Sequence, residues 1–152
     1  MSFSMLTWGV KTSFLAYVQA AEGSIVLAEG AARTAEGAFT FPALPGGDLV
    51  IAPDGSATGA ARFQGSVTLE AHGGMLRATL SDLAVEVGKD GLVLTATQMP
   101  AGTTRCAIAR LGPVELDGAG GVTAAAVITL DGMYQIAEIY PPGTVLDPVR
   151  LA

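Results

Sequence analysis

The chain has 152 residues, a formal net charge of −6, 50% hydrophobic residues and 14% charged residues. This length suits a single domain over residues 1–152, and the apolar content predicts a well-filled core, which excludes a disordered chain. The few basic residues are scattered singly, which excludes a nucleic-acid partner, and every apolar stretch is shorter than the roughly 18 to 20 residues of a membrane span.

The N-terminal segment shows no secretion signal. MSFSMLTWGVKTSF lacks a basic region followed by an apolar stretch and a cleavage site. We therefore expect either a cytoplasmic protein as the sequence stands or an exported domain expressed without its signal, and the sequence does not separate the two.

A helix is predicted from about Trp8 to Ala20, with Thr7 as its N-cap and Glu22-Gly23 as its end. Its apolar face has a 4, 3, 4 spacing and consists of Val10, Phe14, Tyr17 and Ala21, with Ser13 at its edge.

The rest of the chain alternates β-type runs with turn residues. Hairpins are predicted at Asp54-Gly55 and at Lys89-Asp90-Gly91. The predicted strands cover residues 24–28, 38–41, 48–52, 56–71, 75–81, 84–87, 92–98, 103–111, 114–116 and 122–130.

A second, short helix is predicted over residues 132–139, with Thr129 or Asp131 as its cap and Pro141-Pro142-Gly143 as its stop. The pattern as a whole indicates a β-dominated α+β fold. We expect two packed or partly closed antiparallel sheets with an N-terminal helix and a short C-terminal helix.

Several kinds of catalytic and metal site are excluded by residue type. His72 is the only histidine and Cys106 the only cysteine, so a closed zinc site cannot form, and no serine lies in a Gly-x-Ser-x-Gly elbow. Cys106 is expected to be a buried structural residue. Three polar aromatic positions remain, namely Tyr17, His72 and Tyr140, and each taken singly has a purely structural explanation.

A set of sequence blocks resembles the HtaA-type haem-binding domain of actinobacterial haem-uptake proteins. The blocks follow the family's order over nearly the whole chain. They are WGVKTSF at 8–14 with Tyr17-Val18, Gly23-Ser24-Ile25, FTFP at 39–42, FQGSV at 63–67, AHGGML at 71–76, Ile139-Tyr140, Gly143-Thr144 and LDPV at 146–149.

The resemblance implies a site for ferric haem b. It makes Tyr17 the axial ligand of the iron and His72 its partner, and it places Tyr140 near the haem pocket and Ser13 within reach of a propionate. It also implies haem uptake, relay or storage, with haem and other haem-carrying proteins as partners. Unlike many members of the family, this chain shows one domain and neither an export signal nor a membrane tail.

The chemistry of the implied ligand agrees with a carrier. A phenolate is a hard anionic donor that favours ferric iron, and it needs a hydrogen-bond donor, which His72 can supply. Protonation of the phenolate through His72 would offer a release route. We therefore predict a non-enzymatic protein, with a haem-free β-rich interaction module of the same fold as the alternative. A peroxidase-like or haem-degrading enzyme is disfavoured by the tyrosine ligand and the single histidine.

Strand parity conflicts with this role for His72. The apolar residues at 67, 69 and 71 share one face of the predicted strand, which leaves His72 in the outward phase. Either the haem lies on that second face, beneath the first helix, or Gly73-Gly74 mark a bulge that redirects the imidazole.

Overall fold

A computed structural model describes residues 3–152, so Met1 and Ser2 of the predicted 1–152 domain lie outside the described residues. The strands are β1 (Met5–Trp8), β2 (Ser24–Ala28), β3 (Ala32–Arg33), β4 (Phe39–Pro42), β5 (Val50–Ile51), β6 (Ala57–Thr58), β7 (Ala60–Arg62), β8 (Ser66–Ala71), β9 (Leu76–Ser81), β10 (Ala84–Gly88), β11 (Gly91–Thr97), β12 (Arg105–Leu116), β13 (Val122–Ile128) and β14 (Val145–Leu151). The helices are α1 (Thr12–Ala20) and α2 (Leu130–Gln135), and a short turn over His72–Gly74 joins β8 to β9.

The main sheet has nine strands in the order β3-β4-β1-β14-β13-β12-β11-β10-β7, and its paired strands are antiparallel. The chain just after β4 meets the chain just after β7 through a bridge between Ala43 and Phe63. The backbone N–H of Gln64 also donates to the backbone carbonyl of Pro42 at 2.7 Å. The end strand β7 therefore approaches β4, the second strand from the opposite end, and the predicted partly closed, β-dominated fold is confirmed.

Two smaller sheets complete the fold, one of β2-β8-β9 and one of β5-β6. Along β8, Val67, Leu69 and Ala71 are buried while the intervening residues are partly exposed. The predicted alternation of this strand is confirmed. Its buried face joins one apolar cluster whose largest fully buried members are Trp8, Phe14, Phe39, Phe41, Phe63, Leu6, Leu69, Leu80, Leu83, Leu94, Ile108 and Ile128.

The predicted start of the first helix is wrong. Residues 5–8 form strand β1, which pairs with β4 and β14 and buries Leu6 and Trp8. Thr7 lies in this strand and caps nothing. Val10 has a φ of 60°, which turns the chain before the helix begins at Thr12.

The cap of α1 comes from β14, far along the chain. The carboxylate of Asp147 accepts hydrogen bonds from the backbone amide of Thr12 at 3.1 Å and from its hydroxyl at 2.7 Å. The Trp8 indole donates to the Asp147 carbonyl at 2.7 Å. A Cβ on Gly9 would lie only 2.6 Å from the Asp147 carboxylate, so glycine is required to leave room for the cap.

Strand β14 is absent from the sequence prediction. Its Pro148 has no backbone N–H to donate in a regular strand. The structure accommodates this proline at a bulge, where the pairing of β13 with β14 shifts between Ala124 and Ala126. A bulge redirects side chains, and here it lies at Asp147, whose carboxylate turns to the helix. Strands β1 and β3 are absent from the prediction as well.

Other boundaries also differ. The predicted strand over 56–71 is three strands, because Gly59 and Gly65 interrupt it with φ of 82° and 120°. Residues 105–116 form one bulged strand where two were predicted. Helix α2 covers Leu130–Gln135 rather than 132–139, and Thr129 is its cap, since its hydroxyl accepts from the Gly132 amide at 2.9 Å.

Cys106 is buried on β12, as predicted. Burial raises the pKa of its thiol, so the thiolate is disfavoured at neutral pH. Within residues 3–152, no helix is long and apolar enough to cross a membrane.

We expect Asp147→Ala to lower the free energy of unfolding by about 1–2 kcal/mol, because it removes the cap of α1. Chemical denaturation followed by tryptophan fluorescence measures this. Glu115→Ala, which removes an exposed carboxylate from β12, is the control and is expected to change stability by less than about 0.5 kcal/mol. Equal stability of the two variants would contradict the capping role.

Candidate functional site

Tyr17 lies on α1 beside the buried face of the helix rather than on it. The buried residues of α1 are Phe14, Leu15 and Val18, whereas Tyr17 is 43% exposed. The predicted face that placed Tyr17 and Ala21 with the core residues is therefore wrong in detail. Because of this exposure, the phenol of Tyr17 is accessible to solvent and to ligands.

The C-terminal end of α1 is fixed against strand β8. The backbone amide of Gly23 donates to the carbonyl of Val18 at 2.8 Å, and the backbone amide of Glu22 donates to the carbonyl of Gln19 at 3.0 Å. Together these two hydrogen bonds form the Schellman motif. A Cβ on Gly23 would lie 2.2 Å from the carbonyl oxygen of Glu70, so glycine permits a close approach between helix and strand. This contact sets the last turn of α1 beside the end of β8.

The turn after β8 redirects His72 toward this helix. His72, Gly73 and Gly74 have φ values of 54°, 66° and 93°, a left-handed conformation that the two glycines adopt without strain. His72 therefore lies outside the alternation of β8, and strand parity does not govern its direction. Of the two sequence-based alternatives, redirection at Gly73-Gly74 agrees with this geometry.

Tyr17 and His72 meet across this junction. The Tyr17 hydroxyl oxygen lies 2.6 Å from Nε2 of His72, although the two residues are 55 positions apart in the sequence. Their rings are tilted by 59° with centroids 5.7 Å apart. Which atom donates depends on the tautomer of the imidazole. A histidine that carries its proton on Nε2 donates to the phenol oxygen, and this arrangement supports a negative charge there.

A cleft opens beside Tyr17, with a volume of about 390 Å³. Three of its residues are unusually exposed for apolar side chains: Met75 at 92%, Ile139 at 67% and Tyr134 at 61%. The complete lining is Phe14, Tyr17, Met75, Leu76, Arg77, Tyr134, Ile136, Ala137, Glu138 and Ile139. Exposed apolar side chains around a polar group are typical of a ligand-binding surface.

Tyr140 and Ser13, the other two predicted site residues, lie near the cleft but are not part of its lining. Tyr140 is half-buried and packs edge-on against Phe14, with ring centroids 5.9 Å apart. Nζ of Lys11 lies 5.7 Å from the centroid of the Tyr140 ring. Ser13 is exposed, one helical turn before Tyr17.

The walls of the cleft were missed by the sequence reasoning. Met75 and Ile139 stand in blocks that resemble the family, and Tyr134 lies in the predicted second helix, but none of the three was assigned to the site. In the structure Met75 follows two turn glycines, Tyr134 belongs to a short helix and Ile139 lies in a loop. The available signals were these blocks and the presence of large apolar residues outside regular apolar faces. Among residues 3–152, no group of three or more His, Cys, Asp or Glu side chains is placed to hold a metal ion.

Comparison with known proteins identifies the fold. The N-terminal domain of HtaA from Corynebacterium glutamicum is 25% identical, with a TM-score of 0.72 over 99% of this chain and 97% of that domain. The C-terminal domain of the same protein is 23% identical, with a TM-score of 0.66 over 98% and 95%. The haem-binding protein HtaB of that organism is 19% identical, with a TM-score of 0.69 over 98% and 91%. A search of curated proteins gave no significant match.

The family comparison covers almost all of the sequence. The HtaA family model matches residues 4–152, which include β1, the Tyr17–His72 junction and the closing strand β14. The chain therefore belongs to the HtaA family.

Proposed function

We propose that this chain binds ferric haem b reversibly, with the phenolate oxygen of Tyr17 as the axial ligand of the iron. The observation that supports this most strongly is the 2.6 Å contact between Tyr17 and His72, beside a cleft with exposed apolar side chains. The related HtaB is described as a haem-binding protein. Membership of the HtaA family also supports a non-enzymatic carrier.

His72 acts in this proposal through Tyr17. A phenol is a weak ligand until it loses its proton, and ferric iron prefers the anionic oxygen. Nε2 of His72, at 2.6 Å, is placed to donate a hydrogen bond to that oxygen and so to stabilise the ligated phenolate. The same imidazole lies close enough to return a proton to the phenolate, which would weaken the bond to iron.

The open cleft suits a cargo that enters and leaves. A porphyrin is a large, flat, mainly apolar ring, and the exposed side chains of Met75, Tyr134 and Ile139 would lose contact with water beneath it. Because these side chains lie at the surface, a second haem-carrying protein could approach the bound ring. This open shape supports haem uptake, relay or storage better than it supports catalysis on an enclosed haem.

Ser13 and Tyr140 are proposed to act at the periphery of the haem. Ser13 is exposed one turn before Tyr17 on α1, where its hydroxyl can donate to a propionate. Tyr140 packs on Phe14, a residue of the cleft, and so supports its wall.

Haemin is expected to bind in a ratio of one per chain and to give charge-transfer bands of phenolate ligation. Tyr17→Phe keeps the ring but removes the ligand, and we expect it to lower haemin affinity by more than about a hundredfold, beyond the range of supporting-residue effects. Absorption titration measures this. Tyr134→Phe, in the same cleft, is the matched control and should retain the spectrum. A colourless parent protein would favour the haem-free interaction module, and an unchanged Tyr17→Phe would remove Tyr17 as the ligand.

His72→Ala is expected to keep the tyrosine-type spectrum and to weaken haem retention by about ten- to a hundredfold, because a hydrogen bond to the ligand is lost. Transfer of haem to apomyoglobin measures the release rate. Because position 72 has a φ of 54°, His72→Gly serves as a second variant that removes the imidazole without backbone strain. Release at the parent rate in both variants would show that the imidazole is only a surface group. Loss of the whole spectrum would make His72 a direct ligand.

Cys106→Ser is expected to leave the haemin spectrum unchanged, because Cys106 is buried on β12 and lines neither the cleft nor the Tyr17–His72 junction. The same absorption titration applies. A lost or shifted Soret band in a folded Cys106→Ser protein would make the thiol a ligand and contradict the assignment of Tyr17.

A further inference from the structure

A second cleft adjoins the one beside Tyr17. It has a volume of about 410 Å³ and is lined by Arg77, Thr79, Met99, Pro100, Tyr134 and Gln135. Arg77 and Tyr134 belong to the lining of both clefts. The two clefts therefore form one continuous surface with Arg77 and Tyr134 between them.

The far wall of this second cleft is held in place by side-chain hydrogen bonds. The Gln135 carboxamide accepts from the amide of Met99 at 2.9 Å and donates to the carbonyl of Met99 at 3.2 Å. Helix α2 and the loop after β11 are thereby joined as one wall opposite β9. The second cleft therefore has a hydrogen-bonded wall on one side and strand β9 on the other.

Charge distinguishes Arg77 from the other residues of this surface. Among the described residues that line the two clefts, Arg77 is the only cation and Glu138 the only carboxylate. The chain as a whole carries a formal charge of −6. An anionic ligand on this surface would therefore be attracted electrostatically to Arg77.

The guanidinium of Arg77 has a weak partner in the protein. Its Nε lies 3.3 Å from Oε1 of Glu70, its register neighbour across β8 and β9. The Arg77 side chain is largely exposed and that of Glu70 is partly exposed. Exposed ion pairs of this kind contribute little to stability. A ligand carboxylate can replace or share this contact, since a guanidinium presents two parallel N–H donors to a carboxylate.

We infer that Arg77 and the second cleft form a carboxylate subsite that receives a propionate of the porphyrin bound beside Tyr17. This inference rests on the proposed function. It adds a residue that selects for the acidic side chains of the ring, whereas Tyr17 recognises the iron. Arg77 is thus a specificity-determining residue.

The test compares haemin with its dimethyl ester, which has the same ring and iron but no carboxylates, in one detergent buffer. The parent protein is expected to bind haemin more tightly than the ester. Arg77→Gln should weaken haemin binding about three- to tenfold and ester binding less than about twofold, with the tyrosine-type spectrum retained. Arg77→Lys should recover part of the loss. Arg110→Gln, which removes an exposed charge from β12, controls for net charge.

Glu70→Gln provides a second measurement with the opposite sign. It frees the guanidinium of Arg77, so haemin affinity should exceed that of the parent, and this gain should vanish in combination with Arg77→Gln. The inference is overturned if Arg77→Gln binds both ligands as the parent does, or loses both equally. It is also overturned if Ser13→Ala, rather than Arg77→Gln, abolishes the preference for haemin over its ester. A parent protein that binds neither ligand would instead refute the proposed function.

Discussion

Helix α1 is held at both ends by residues distant in sequence, and the candidate site depends on this constraint. At its start, Asp147 of β14 caps the helix through the amide and hydroxyl of Thr12. At its end, the close approach of Gly23 to the backbone of Glu70 sets the last turn against β8. A nine-residue helix is only marginally stable by itself, so these tertiary contacts decide where it lies.

The Tyr17–His72 junction follows from that placement. Once the end of α1 lies beside the end of β8, a left-handed turn at 72–74 is enough to bring the imidazole to the phenol. Neither side chain is buried, and three residues of the cleft beside them, Met75, Tyr134 and Ile139, are largely exposed to water. The proposed haem site would combine a directional bond at one atom with a loosely enclosed ring. That combination is suited to holding a cofactor for transfer more than to isolating it for reaction.

Charge gives different parts of the two clefts different roles in the proposed recognition of haem. A net charge of −6 is unfavourable for a ligand with two carboxylates, and long-range repulsion has to be offset locally. The cation in the lining of the two clefts is Arg77, and its ion pair with Glu70 is partly exposed. The iron is therefore proposed to be recognised by Tyr17 of α1, and the carboxylates of the ring by Arg77 of β9 as well as by Ser13 of α1. Because β8 and β9 are hydrogen-bonded neighbours, the residues proposed for both tasks lie on one hairpin and the helix that packs on it.

The sequence by itself determined the β-dominated class, the two helices, the alternation along β8 and the identity of Tyr17 and His72 as candidates. These depend on local periodicity, turn residues and blocks that resemble one family. It did not determine the start of α1, because the residue that caps the helix lies in a strand with a proline at its bulge. Only the tertiary structure decided which way His72 points, because a positive φ at one residue overrides strand parity. The walls of the cleft were likewise decided by packing, since residues from a turn, a short helix and a loop become neighbours only when the sheets close around the core.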